Sequence, residues 1–287
     1  MQEPSVRTSR LAIAGGFAAI LVVGGAGFFL GRATAPAPPP PTPVVVPAPA
    51  PAPAPETPKT LERGDLIALV QRAADAFASG AAAPKAVTDA AGRRFDLLLP
   101  FGCGGPSEAE SRQPMQWRYD EAKGTLRVSV KPTTWTGAEW GLDDRSGIDS
   151  AEGFWIARPW SSGGTCPQRA APIAPRGVEP VTLPGQTLAI AQFFKGESDR
   201  DGRRNGRPFE TVQRIVADSF DGSEGFRLRV SGRIDAIAGT APVRCVQPAG
   251  AEQRPICAIG ARIDTVQLEN PATGESLAIW TIGRSAK

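Results

Sequence analysis

The sequence predicts a mainly β fold of antiparallel sheets with one helix at its start, carried behind a single transmembrane helix and a proline-rich stalk. Three observations lead there. Residues 11–31 form an apolar run without a charged side chain. Residues 36–58 hold twelve prolines among 23 positions. Beyond them, short stretches of alternating apolar and polar residues recur between turn signals.

Residues 1–10 read as a cytoplasmic tail, with Arg7 and Arg10 against Glu3. Twenty helical residues at ~1.5 Å each span about 30 Å, the thickness of a hydrocarbon core. Inside lipid every backbone group needs an internal partner, so an inserted run is helical. A cleaved signal peptide is the rival reading, and Ala33-Thr34-Ala35 has the form of its cleavage site. Such a peptide has an apolar region of roughly 7–15 residues, shorter than this run, and Pro36 would directly follow the cut. The arginine excess before the span places the N-terminus in the cytoplasm, although Arg32 beyond it opposes that bias. Gly27 and Gly31 have the spacing of small-residue helix contacts, a pattern that arises readily by chance in a span so rich in Gly and Ala.

Residues 32–59 form the stalk. Alternating Pro-Ala cannot pack a core and favours an extended polyproline II spacer. By analogy, a short anchor and simple stalk belong to a bacterial envelope protein. The expected location is therefore the inner membrane, crossed once, with the C-terminal domain in the periplasm.

Beyond residue 32 the chain carries 29 basic and 28 acidic residues, so no global charge favours nucleic acid. The four cysteines, Cys103, Cys166, Cys245 and Cys257, form no C-x-x-C pair, and histidine is absent. Zinc wants closely spaced Cys and His. No metal or cofactor is expected, and an even cysteine count behind an export signal reads as two disulfides. Three pairings are open. Cys103–Cys166 with Cys245–Cys257 is preferred, because each bond then stays within one half of the domain.

Along the domain, Asp65 is positioned to cap a helix from Leu66, with Val70, Ala73, Ala74 and Phe77 at helical spacing. Arg94–Leu99 reads as a strand. Trp117–Tyr119 and Leu126–Val130 read as a hairpin about Lys123-Gly124, and Phe154–Ala157 as a short strand. Residues 167–185 carry five prolines and read as a linker or strap between β-rich subdomains at 60–166 and 186–287. In the second half, Thr187–Phe194 and Phe226–Ser231 read as strands. Val212–Phe220 is ambiguous between helix and strand. Ala258–Leu268 and Leu277–Ile282 flank the turn signal Asn270-Pro271-Ala272-Thr273-Gly274.

The missing histidine removes Ser-His-Asp and Cys-His catalysis and the usual general base. There is no Ser-x-x-Lys, nucleophile elbow or Walker loop. Paired carboxylates remain: Asp143, Asp144, Asp149 and Glu152. Carboxylate chemistry on glycans needs two such groups about 5–9 Å apart. Four of the six tryptophans, Trp135, Trp140, Trp155 and Trp160, fall in one stretch. Trp155 belongs to an apolar strand. Trp135, Trp140 and Trp160 are the candidates for a ligand groove, with Trp135 and Trp140 expected at the surface among Thr, Gly and Glu. Asp199, Asp201 and Glu210 sit at calcium-loop positions, but Arg203 and Arg204 occupy places that need a ligand and a glycine. Calcium is rejected there. Arg200, Arg203, Arg204 and Arg207 are instead candidates to hold an anion, against a solvated hairpin tip.

The leading functional expectation is a non-catalytic, membrane-anchored periplasmic protein that binds an envelope protein or cell-wall polymer. The alternatives are a carboxylate-dependent hydrolase of cell-wall glycan or peptide, and a structural subunit of a membrane-spanning assembly.

Overall fold

The computed structural model describes residues 59–167, 186–196 and 203–282. The expected span at 11–31, the stalk up to residue 58, nearly all of 167–185, and Arg200 lie outside them. Among the described residues no helix is long and apolar enough to cross a membrane.

The described chain is mainly β. Its elements are β1 (Leu61–Glu62), helix α1 (Arg63–Ala78), the short helix α2 (Lys85–Thr88), β2 (Arg94–Phe101), β3 (Met115–Asp120), β4 (Thr125–Val130), β5 (Thr133–Thr136), β6 (Ser150–Trp155), β7 (Leu188–Phe194), β8 (Phe209–Arg214), β9 (Phe226–Ile234), β10 (Val243–Val246), β11 (Ile256–Asn270) and β12 (Glu275–Thr281).

A nine-stranded sheet runs β1-β2-β9-β11-β7-β6-β5, with β10 and β12 also pairing β11. Its period-two pattern explains the pairing. On β9, Phe226, Leu228, Val230 and Ile234 are buried, alternating with the half-buried Arg227, Arg229, Ser231 and Arg233. On β2, Leu97, Leu99 and Phe101 lie opposite Val230, Leu228 and Phe226. Each such side chain contributes about 1.5–3 kcal/mol by leaving water. Where β2, β9 and the later part of β11 run side by side, the opposite face of the sheet is polar. Glu269 on β11 accepts hydrogen bonds from Arg227 Nε (2.7 Å) and Arg229 Nε (2.5 Å), and Arg229 also pairs with Asp96 of β2.

β11 organises the sheet by changing neighbours along its length. Its first residues lie between β10 and β7, and its later ones between β9 and β12. Its register with β9 shifts between Ile263 and Thr265. There Gln192 Oε1, on β7, accepts the Ile263 N–H at 2.6 Å. The expectation of antiparallel sheets alone needs correction, because β7 pairs parallel to β11 and β1 parallel to β2. Parallel neighbours need a long crossover, and here β8, β9 and β10 lie between β7 and β11 in the chain.

The expected hairpin forms as β3 and β4. It joins β8 in a separate three-stranded sheet. The ambiguous segment is strand as far as Arg214 and then a 3-10 turn at Ala217–Ser219. Phe209 of β8 packs between Phe154 (6.1 Å between centroids) and Trp280 (5.3 Å), which joins the small sheet to the large one. Helix α1 starts earlier than expected. Asp65 is not its N-cap: it sits at N3, and its carboxylate accepts the Glu62 N–H at 3.1 Å.

In the large sheet, strands that follow residues 167–185 lie between strands that precede them. β2, β5 and β6 come from 60–166, while β7 and β9 to β12 come from 186–287. One apolar cluster draws on both segments. The disulfides are Cys103–Cys166 and Cys245–Cys257, with Cα separations of 5.4 and 4.1 Å. The second joins residues directly opposite each other on β10 and β11.

Candidate binding surface

Trp135 and Trp140, expected at the surface, are buried. Trp135 meets Trp140 edge-on at 5.6 Å and Trp155 at 5.2 Å, and Trp140 meets Phe193 at 6.3 Å. These rings form a second apolar cluster with Ala151, Ala189, Ala191 and Ala258. The polar neighbours misled for a simple reason. Thr134 and Thr136 flank Trp135 on β5, so they face the other side of the strand. Trp140 ends a 3-10 turn that returns it to the sheet, and its carbonyl accepts Arg244 Nε at 2.9 Å. Trp155, expected in the core, is half-buried against this cluster.

The arginine segment and the carboxylate segment, distant in sequence, meet. Arg203 forks onto Asp149, with Nη1 and Nη2 donating to Oδ2 and Oδ1 at 3.1 and 2.8 Å. Its Nη2 also donates to the Gly196 carbonyl at 2.6 Å. The same guanidinium lies 5.0 Å from the Phe194 ring centroid. Hydrogen bonding from Arg203 holds the Asp149 carboxyl below the ordinary aspartate range. Glu152 is buried, and its carboxylate accepts the Arg204 backbone N–H at 2.8 Å. The Arg204 side chain lies over Phe209 at 4.0 Å and donates to the carbonyls of Arg207 and Pro208. Burial lowers its pKa, partly offset by the charge of Glu152. Asp143 pairs with Arg145 at 2.7 Å, and Asp144 and Arg207 are exposed. Two of the four candidate anion ligands, Arg203 and Arg204, are thus engaged with the protein itself. Among the described residues no three acidic or cysteine side chains gather as a metal site.

Trp160 is different. It is 63% exposed, at the tip of the loop after β6, and the loop is held from beneath. Arg63, in the first turn of α1, is only 3% exposed. Its guanidinium donates to four backbone carbonyls: Ala157 (2.5 Å), Ser161 (2.9 Å), Leu98 (3.2 Å) and Arg158 (3.2 Å). Three of these bracket Trp160. Burial and then the nearby Arg158 charge lower the Arg63 pKa to about 10. Arg158 takes a left-handed backbone conformation (φ 52°), uncommon for a side chain of its size. At the loop's far end, Cys166 is tied to Cys103.

Beside this loop lies a small hollow open to solvent. Pro159, Ile67, Val70, Ala74 and Pro255 supply most of its apolar lining, with Gln71 and Arg254 as polar members. Of the three candidate tryptophans, only Trp160 is presented to solvent. Sequence reasoning missed Arg63 and Arg254. One faint signal existed for Arg63, since a cation in the first turn opposes the helix dipole and needs a reason to be there. Comparison with protein-family models, with curated proteins and with solved structures gives no significant match to this chain.

Proposed function

We propose that the chain is a non-catalytic periplasmic protein, anchored in the inner membrane by residues 11–31 with its N-terminus in the cytoplasm. The stalk spaces a mainly β domain from the membrane, and that domain binds an envelope protein or cell-wall polymer. The observation that carries this reading is the exposure of Trp160 on a loop secured by Arg63 and by the Cys103–Cys166 bond. Exposing a tryptophan forgoes the burial that the other rings of the same stretch obtain. Tryptophans presented rigidly are favoured anchors at interfaces. The engagement of Asp149 with Arg203 and of Glu152 with Arg204 supports binding over carboxylate chemistry.

The test is Trp160→Ala in the full-length tagged protein, crosslinked in intact cells and recovered under denaturing conditions. An exposed ring contributes little to folding, so the variant should melt within about 0.5 kcal/mol of the parent. It should lose most of a discrete set of crosslinked envelope components. An unchanged set would remove Trp160 from the site, and a parent protein with no crosslinked component would end the binding reading.

A further inference from the structure

At the start of β2 one kind of side chain crosses three strands. Arg94 on β2 lies directly opposite Arg233 on β9, and Arg233 lies directly opposite Arg262 on β11. At a strand spacing of about 4.8 Å, the three Cα atoms span roughly 10 Å. All three side chains belong to the polar face of this part of the sheet. Arg94 and Arg262 are exposed and Arg233 is half-buried. Like charges placed directly opposite one another destabilise a sheet.

Further along the same face, arginines are matched by carboxylates. Arg227 pairs with Glu269, and Arg229 with both Glu269 and Asp96. The row is not matched in this way. Among the described residues Arg94 and Arg233 make no ion pair, and Arg262 has only Asp264, at 4.0 Å between two exposed side chains. Arg233 Nη1 donates to the Gly92 carbonyl at 3.4 Å. Other acids nearby have their own partners. Asp96 is held by Arg229, and Glu62 and Asp65 cap α1. Asp235, exposed and two residues beyond Arg233, accepts the Ala236 N–H. Set against Asp235 and Asp264, Arg93, Arg94, Arg233 and Arg262 still leave positive charge in excess.

Two further features fit a ligand. β11 shifts register between Ile263 and Thr265, immediately after Arg262, and bulges re-aim neighbouring side chains. In the next row Ser231 lies opposite Thr265, which places two half-buried hydroxyl groups on the same face. Guanidinium groups form forked, charge-assisted bonds with phosphate. A phosphate ester brings about two negative charges and three acceptor oxygens, where a carboxylate brings one charge. It is therefore the closer match to three arginines in register.

We infer that Arg94, Arg233 and Arg262 form a binding site for a phosphate group. That group belongs either to a phospholipid headgroup or to a soluble phosphate ester. The headgroup source rests on the membrane anchor proposed above. Arg93 Nη2, beside the row, donates to the Lys59 carbonyl at 2.9 Å, so the site lies where the chain passes from stalk to domain. The site shares no residue with the Trp160 loop, and it stands if that loop binds nothing.

The test titrates the full-length protein, in an uncharged detergent, with inorganic phosphate and separately with dihexanoylphosphatidylglycerol. Binding is read from the broadening of the phosphorus NMR line. The parent should broaden at least one of the two. Arg94→Gln with Arg233→Gln and Arg262→Gln should weaken that binding at least about tenfold. A control of equal charge change on the small sheet, Arg118→Gln with Arg127→Gln and Arg214→Gln, should keep it. Without ligand, the row variant should melt no lower than the parent, because it removes opposed like charges. Arg94→Gln alone, at an exposed side chain, should weaken binding about threefold and serves if the triple variant does not fold. Broadening of the lipid alone assigns a headgroup, and broadening of inorganic phosphate assigns a soluble ester. No broadening of either, equal loss in the row variant and the control, or a row variant that melts lower yet binds like the parent would each overturn the inference. Trp160→Ala should leave both titrations unchanged, so failure here is distinct from failure of the crosslinking test.

Discussion

Glu269 shows how a charged residue is made into part of the core's lid. Its side chain is 8% exposed, and burial by itself would raise its pKa. Hydrogen bonds from Arg229 and Arg227 outweigh that penalty, so the carboxyl sits below the ordinary glutamate value of 4.5. A depressed carboxyl pKa stabilises the fold above the unfolded value, and that contribution is lost as pH falls through the lower folded value. Glu269→Gln leaves Arg227 without a carboxylate and Arg229 with Asp96 alone, and should cost about 2 kcal/mol at pH 7. Urea melts at pH 7 and pH 3 check this. The gap between parent and variant should shrink in acid, and an equal gap at both values would mean that the charge is not what stabilises the site.

Within elements, close backbone approach matters as much as side-chain pattern. Gly153 on β6 lies opposite Ala191 on β7, and a Cβ there would fall 1.9 Å from the Ile190 carbonyl oxygen. No side chain need shift to create that clash, since the obstacle is backbone. Gly153→Ala should therefore push β6 from β7 and destabilise the domain by about 3 kcal/mol or more. A Cβ at Gly163 would meet only Ser161 Oγ at 3.5 Å, so Gly163→Ala should stay within about 0.5 kcal/mol. Thermal melts of the two variants make the comparison, and equal melting would show that the strands absorb the methyl group. The alternation on β9 and the spacing on α1 were legible in the chain. The Gly153 contact was not, because it depends on which strand becomes its neighbour.

For the whole molecule, the interleaving of strands has a measurable consequence. Both disulfides lie within a single segment, 60–166 or 186–287. Nothing covalent would therefore join the segments if the chain were cut between residues 167 and 186. Noncovalent strand pairing should still hold them, since β9 lies beside β2 and β7 beside β6. A protease site inserted there should yield a nicked domain that elutes as one species on native size exclusion and separates only in denaturant. Two independently folded fragments would mean that each segment has a sufficient core of its own.

The sequence by itself determined the β-rich character of the domain, its helix and its principal strands, and it made the observed cysteine pairing the preferred one of three. Periodicity and turn chemistry act over a few residues, and a 12-residue separation favours local closure for Cys245 and Cys257. It also identified the tryptophans, carboxylates and arginines as the chemically notable groups, but not their company. Only the tertiary structure decided that Trp135 and Trp140 turn inward while Trp160 stays exposed, that Arg203 and Arg204 engage Asp149 and Glu152, and that Arg63 secures the loop presenting Trp160. The physical reason is range. Which face a side chain covers and which charge neutralises another are set by contacts between residues tens of positions apart, and no local pattern in the chain encodes those distances.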